Sequence, residues 1–189
     1  MTELRVALLD ANVLYPTTLR DLLMWLAVSG TYDAHWTQRI QDEWTRNLLA
    51  DQPQLTAGRL ERTKTLMDQA LPGALVTGYE TLIEHLELPD ADDRHVLAAA
   101  IHTEAQIIVT LNLRDFPPPS LEPFGVRALH PDDFALMLAQ NDPAGVLRAV
   151  SAQRQNYKRP PLTRDYYLER LERQGLAGVA AWLAARLLD

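Results

Sequence analysis

Val6-Ala7-Leu8-Leu9-Asp10-Ala11-Asn12-Val13-Leu14 is the stretch whose reading decides the fold. Four apolar residues in a row are too few for a helix and read as a strand buried on both faces. The chemistry changes at once at Asp10. A carboxylate buried there is costly unless it is paired or bound to a cation. In a parallel α/β sheet, the carboxyl end of a strand is also where ligands bind. An Asp in this position often does no more than cap the next turn. Asp10 therefore gains weight only if other acids fall in equivalent places.

The rest of the chain supplies them. Pro16-Thr17-Thr18 reads as a turn and helix cap, and Leu19, Leu22, Leu23 and Leu26 keep helical spacing up to Gly30. A second helix is expected from Thr37, with Ile40, Trp44 and Leu48 on one face and Glu43 close beside it. Residues 56–71 read as a third helix, marked by Leu60, Met67 and Leu71. Ala74-Leu75-Val76 is a short strand candidate, followed by a short helix around Tyr79 to Leu86. Asp90-Ala91-Asp92-Asp93 then precedes an Ala-rich helix whose Val96, Leu97, Ala100 and Ile101 face inward. Ile107-Ile108-Val109-Thr110-Leu111 is a second buried-strand run, leading into Asn112-Leu113-Arg114-Asp115. Pro117-Pro118-Pro119 is expected to block any helix and form a stiff loop. Gly125 to Leu129 reads as the last strand, and Pro131 suits the first turn of a helix to about Gln140.

Strand and helix alternate through residues 4–140, which argues for an α/β three-layer sandwich around a parallel sheet. Beyond Asp142-Pro143 only helices are predicted, at about 143–157, 163–174 and 176–188. The chain thus divides into an α/β domain, residues 1–140, and an all-helical C-terminal extension, residues 141–189.

Composition narrows the function classes. Hydrophobic residues make up 47% of the 189 and charged residues 23%, as in ordinary globular proteins. No apolar run approaches the roughly 20 residues that span a bilayer, and no signal-peptide pattern opens the chain. A cytoplasmic protein without membrane attachment is the expectation. The absence of cysteine excludes disulfides and thiolate metal sites. The net charge of −7 is unevenly spread: ten Lys and Arg face twenty Asp and Glu up to residue 135, and eight face five beyond it. An acidic body argues against loose nucleic-acid binding, whereas a basic tail suits phosphates.

In a doubly wound sheet, strand ends and helix starts share one edge, so Asp10, Glu43, Asp93, Asn112 and Asp115 can converge. Two carboxylates about 4 Å apart repel by roughly 1 kcal/mol in water and about 4 kcal/mol at an effective dielectric of 20. A hard divalent cation reverses that penalty, and all-oxygen ligands suit Mg²⁺ or Mn²⁺ rather than zinc. Such a site activates water and stabilises a phosphate under in-line attack. Each acid taken alone has a simpler reading, as a helix cap, a first-turn acid or a solvated side chain. Their joint placement favours the metal site.

Three blocks, Leu9-Asp10-Ala11-Asn12-Val13-Leu14, Asp90-Ala91-Asp92-Asp93-Arg94-His95-Val96-Leu97 and Val109-Thr110-Leu111-Asn112-Leu113-Arg114-Asp115-Phe116-Pro117, together resemble the signature blocks of PIN domains. More narrowly they are similar to the bacterial group that includes the VapC-type toxins of VapBC toxin–antitoxin pairs. The resemblance spans about residues 4–140 and implies a Rossmann-like parallel sheet of five strands. It also implies a Mg²⁺- or Mn²⁺-dependent endoribonuclease, with RNA as substrate and a VapB-like antitoxin as partner. By position it makes Asp10, Glu43 and Asp93 the first three catalytic and metal-binding acids. Many PIN domains carry a fourth Asp where this chain has Asn112, and Asp115 is the expected substitute. Asn12, Thr110, Asn112 and Asp90 become supporting residues.

Arg94 and Arg114 beside the acids, and Arg154, Lys158, Arg159 and Arg164 in the tail, are the candidate RNA-binding cations. Tyr157, Tyr166 and Tyr167 among them suggest base stacking, the alternative being that they pack on the body. Leu176, Val179, Leu183 and Leu187 form a helical stripe that suits the core, a homodimer interface or an antitoxin groove. His95 and His102 lack a third imidazole for zinc and read as surface or satisfied core residues. Haloacid-dehalogenase-like phosphatases also start from a strand-ending Asp but want Asp-x-Asp, which Asp10-Ala11-Asn12 does not supply. Two other readings remain within the PIN fold: a binding module without activity, and an RNA-processing nuclease without an antitoxin.

Overall fold

The computed structural model describes residues 6–158 and 160–187, so the candidate Arg159 lies outside the described residues. Its elements are β1 (Val6–Leu9), α1 (Ala11–Leu14), α2 (Thr17–Val28), β2 (Asp33–Thr37), α3 (Gln38–Asp51), α4 (Ala57–Ala70), β3 (Leu75–Val76), α5 (Arg94–His102), β4 (Ile107–Val109), α6 (Pro118–Leu121), β5 (Arg127–Leu129), α7 (Pro131–Asn141), α8 (Pro143–Asn156), α9 (Arg164–Arg173) and α10 (Ala177–Ala184). Short 3₁₀ segments at Glu80–His85, Ala91–Asp93, Leu113–Asp115 and Glu122–Phe124 link them.

The five strands form one sheet in the order β3-β2-β1-β4-β5, with every pair parallel. Parallel neighbours need a crossover between them, and helices supply it. The chain builds outward from β1 to β3 on one side, then returns to place β4 on the other. The order therefore reverses between β1 and β4, and a crevice opens at the carboxyl ends of such strands. Register sharpens this: Leu9 lies opposite Val109, so Asp10 and Thr110 leave the sheet side by side.

Two elements differ from the sequence expectation. β2 (Asp33–Thr37) was not expected, because Asp-Ala-His-Trp-Thr has little β-branched character and runs without a break into α3. Thr37 ends the strand and caps the helix, its hydroxyl accepting the Ile40 N–H at 3.1 Å. The triple proline does not exclude a helix either. Pro118 and Pro119 occupy the first two positions of α6, where a missing N–H costs nothing.

The core holds Trp36 and Trp44 fully buried beside the leucines of α2. Arg20 is buried as well. Its Nη1 donates to Leu14 O at 2.7 Å, and its guanidinium lies 4.7 Å from the centre of the Trp44 ring. It thereby fixes α1 and α3, which carry Asn12 and Glu43, to one point of α2.

The extension packs onto α2 and α7. Tyr157 donates to Asp21, and Arg170 donates to Thr18 Oγ1 at 2.7 Å. Asp132 of α7 accepts the N–H groups of Gly178 and Val179 at 2.8 and 2.7 Å, placing an anion at the start of α10. Leu176, Val179, Leu183 and Leu187 are buried inside the chain. That stripe is therefore core, which corrects its reading as a free dimer or antitoxin groove.

Candidate metal centre

Asp10 is only 5% exposed, and both its oxygens are held. Oδ1 accepts the Ala11 N–H at 2.7 Å, while Oδ2 accepts Asn12 Nδ2 at 2.7 Å and Thr110 Oγ1 at 2.8 Å. Burial drives its pKa up, against those hydrogen bonds, and the charge of Glu43 adds to the rise. Asp10 does cap α1, but one four-residue turn is small return for burying a charge. Asn12 is equally constrained, its Oδ1 accepting the Leu111 N–H at 2.9 Å. The Thr110 hydroxyl also accepts the Asn112 N–H at 3.0 Å. Asn12 and Thr110 thus fix the carboxylate where β1 and β4 end.

Glu43 comes from α3. Its Oε1 lies 3.1 Å from His95 Nε2 and 3.2 Å from Arg39 Nε. Burial alone would raise the Glu43 pKa, but His95 and Arg39 outweigh it and hold the carboxyl below its ordinary value. His95 is fully buried, and its Nδ1 has no hydrogen-bond partner among the described residues. Arg39 also donates to Asp92 O at 3.2 Å, tying α3 to the turn that carries the third acid.

Asp93 lies at the N-cap position of α5, yet its side chain makes no capping hydrogen bond. Its carboxylate is free for the site. Burial, then the charges of Asp10, Asp90, Asp115 and Glu43, push its pKa up to about 7. Asp90, Asp93 and Asp115 each offer an oxygen within 4.8 Å of the others. Asp90 also accepts the Asp92 N–H at 2.9 Å, so for Asp90 the capping reading holds as well. Asn112 Nδ2 donates to Asp115 Oδ2, which draws that carboxylate in among the other two.

The donor set therefore fits a hard cation. It is all oxygen, it carries uncompensated negative charge around Asp93, and its supporting polar atoms are already bonded elsewhere. The tight trio differs from the expected ligand set. Asp90 stands with Asp93 and Asp115, while Asp10 and Glu43 lie outside that group and reach Asp93 through their charge. Asp10, Glu43 and Asp93 line a cleft of about 1060 Å³, whose further lining includes Tyr15, Arg39, Arg46 and Asn47. Among the described residues, none of the extension lines it.

The PIN domain model matches residues 6–114. The chain belongs to the PIN domain family. A second model, the VapC50 C-terminal domain, matches residues 131–185 of this PIN protein. A protein of Mycobacterium tuberculosis (strain ATCC 25618 / H37Rv) named "Putative ribonuclease VapC50" is 39% identical over 114 residues, covering 58% of this chain and 64% of the relative. The PIN chain thus spans just under two thirds of that relative's length in the match. No solved structure matches.

Sequence reasoning missed two residues of this PIN site. Arg39 precedes Glu43 by four positions, a helical spacing that signals an ion pair. His95 gave no such signal, since nothing in α5 reveals that α3 faces it. The tail candidates sit elsewhere. Arg154 Nε donates to Leu162 O at 3.3 Å, and Arg164 donates to Leu187 O and Ala184 O at 3.1 and 2.5 Å. Lys158 is exposed, as is Arg114, while Arg94 is half-buried with its Nε unpartnered among the described residues. Tyr167 is fully buried with its hydroxyl on Gln153 at 2.8 Å, and Tyr157 is tied to Asp21. Only Tyr166 of the three tyrosines is largely exposed, at 48%. Packing accounts for the other two, Tyr157 on α2 of the body and Tyr167 against α8 within the extension.

Among the described residues, no helix is long and apolar enough to cross a membrane.

Proposed function

We propose that this protein is a Mg²⁺- or Mn²⁺-dependent endoribonuclease that acts in the cytoplasm as the toxin of a VapBC pair. The observation that carries the proposal is the gathering of Asp90, Asp93 and Asp115 oxygens within 4.8 Å of one another, with the charges of Asp10 and Glu43 also acting on Asp93. Membership of the PIN family and likeness to a relative named as a ribonuclease support it. The RNA substrate, the VapB-like antitoxin and the division at residue 140 belong to the same proposal.

Asp93, Asp90 and Asp115 would hold the cation, with Asp10 and Glu43 completing its surroundings. A bound divalent ion would supply positive charge for the phosphate and acidify a water molecule. The protein's own part is positional. Thr110 and Asn12 fix Asp10 in one orientation, and His95 and Arg39 keep Glu43 ionised at neutral pH. Asp93 would give up its proton to hold the cation. Water would add to phosphorus and release one proton to solvent, the P–O3′ bond would break, and O3′ would take up one proton from solvent, so that the net change is addition of one water molecule across that bond. The products carry 3′-hydroxyl and 5′-phosphate ends.

The test is cleavage of total and transfer RNA by purified protein with Mg²⁺, Mn²⁺ or EDTA, beside Asp10→Ala. The expected result is metal-dependent cutting with 5′-phosphate ends, lost in the variant. If neither protein cuts with any metal while the wild type still binds RNA or a partner, the binding-module reading replaces this one.

A further inference from the structure

We propose that the cleft carries a subsite for single-stranded RNA on its α3 wall, formed by the Arg46 guanidinium and the Tyr15 ring. It rests on the ribonuclease reading and adds the residues that grip the strand beside the carboxylates. Glu43, Arg46, Asn47 and Ala50 follow helical spacing and all line the cleft. The face of α3 that presents Glu43 to the acids therefore presents Arg46 about one turn further along, roughly 5 Å.

The two arginines of the cleft are in different states. Arg39 is engaged by Glu43 and by Asp92 O. Arg46 is exposed and makes no hydrogen bond or ion pair among the described residues, although the cleft around it is rich in carboxylates. The three acids of α3 have partners, Glu43 in Arg39 and His95. Asp42 accepts from Lys64 at 3.1 Å, and Asp51 accepts from the Tyr15 hydroxyl at 2.7 Å. Arg46 is left to meet an anion from outside, and in a nuclease cleft that anion is a phosphate flanking the scissile one.

Tyr15 supplies the second contact. Its hydroxyl is pinned to Asp51, so the ring is held in the cleft wall before anything binds. A fixed aromatic face loses little entropy on stacking, and an unpaired base provides the matching surface. Duplex bases are already stacked on one another, so the ring selects a single strand. Among the described residues, none of the extension lines the cleft, so the proposal gives the grip inside it to Arg46 and Tyr15.

The test measures fluorescence anisotropy of a fluorescein-labelled single-stranded RNA of mixed sequence, with Ca²⁺ in place of Mg²⁺. Full-length wild type, Arg46→Ala, Arg46→Lys, Tyr15→Ala and Tyr15→Phe are compared across salt concentrations. Arg46→Ala is expected to bind about tenfold more weakly and to flatten the log–log salt slope by about 0.7. Arg46→Lys keeps that slope. Tyr15→Ala loses about tenfold with its slope unchanged, and Tyr15→Phe, which keeps the ring but not its tether to Asp51, falls between wild type and Tyr15→Ala. Mn²⁺ affinity is the same in all five proteins, which separates gripping the strand from building the metal centre. If Arg46→Ala and Tyr15→Ala bind RNA as the wild type does, the subsite is overturned and the ribonuclease reading stands. If the wild type neither binds nor cuts RNA, both fall together.

Discussion

A threonine hydroxyl at the end of β4 and a carboxylate at the end of β1 meet at 2.8 Å, and the site is assembled around that contact. Asp10 is buried with no cationic partner among the described residues, and burial raises its pKa, so its ionised form is disfavoured without metal. Asp10→Asn removes that burden. Its metal-free form is expected to melt at or above the wild-type temperature in calorimetry, while RNA cleavage falls by about 100-fold or more. A variant that melts lower yet cuts normally would show the carboxylate to be purely structural. Glu43 depends on His95 in the opposite sense. His95 helps hold its carboxyl low, so His95→Leu should move the acid limb of the kcat/KM profile to higher pH, with His95→Gln in between. An unmoved limb would deny His95 that role. Asp10 and Asp93 stood out in the sequence because they fall at a strand end and a helix start, whereas Thr110 came from the family resemblance. His95 was not, because pairing between helices leaves no local trace.

The elements repeat this division. β1 and β4 were readable as short apolar runs, and α3 as a capped amphipathic helix, because each pattern is local. β2 escaped because its burial is decided by the neighbours that flank it in the sheet rather than by its own residues. The helical extension was legible, but its means of attachment was not. Asp132, nearly fifty residues upstream, holds the first N–H groups of α10, and Gly178 permits that approach. A Cβ at Gly178 would come 2.7 Å from Asp132 Oδ2 and from Leu136 Cδ1. Asp132→Ala is therefore expected to cost about 1–2 kcal/mol, lowering the melting temperature by roughly 2–8 °C. Gly178→Ala should act in the same direction. Calorimetry checks both, and unchanged melting would mean that this cap contributes nothing to docking α10.

At the scale of the molecule, the acidic body holds an electrostatic debt that a cation can cancel. Burial and neighbouring acids push Asp93 up to about 7, well above the ordinary value of 3.8. Between about pH 4 and 7 the unfolded chain has released that proton while the native protein retains it. Metal-free stability should therefore fall as pH rises across this window. A cation binds the ionised form, so the melting-temperature gain from Mn²⁺ should be larger at pH 8 than at pH 5. An equal gain at both would disconnect Asp93 from the metal. The joint placement of acids at strand ends and helix starts pointed to such a centre in the sequence, but the grouping of Asp90 with Asp93 and Asp115 needed the folded turns.

The most direct measurement is calorimetric titration of Mn²⁺ into full-length wild type and Asp93→Asn at pH 7.5. Saturable binding by the wild type, weakened at least about tenfold in the variant, is the predicted result. Equal affinity in the two proteins, or no binding by the wild type, would contradict the assignment of these carboxylates as a metal centre.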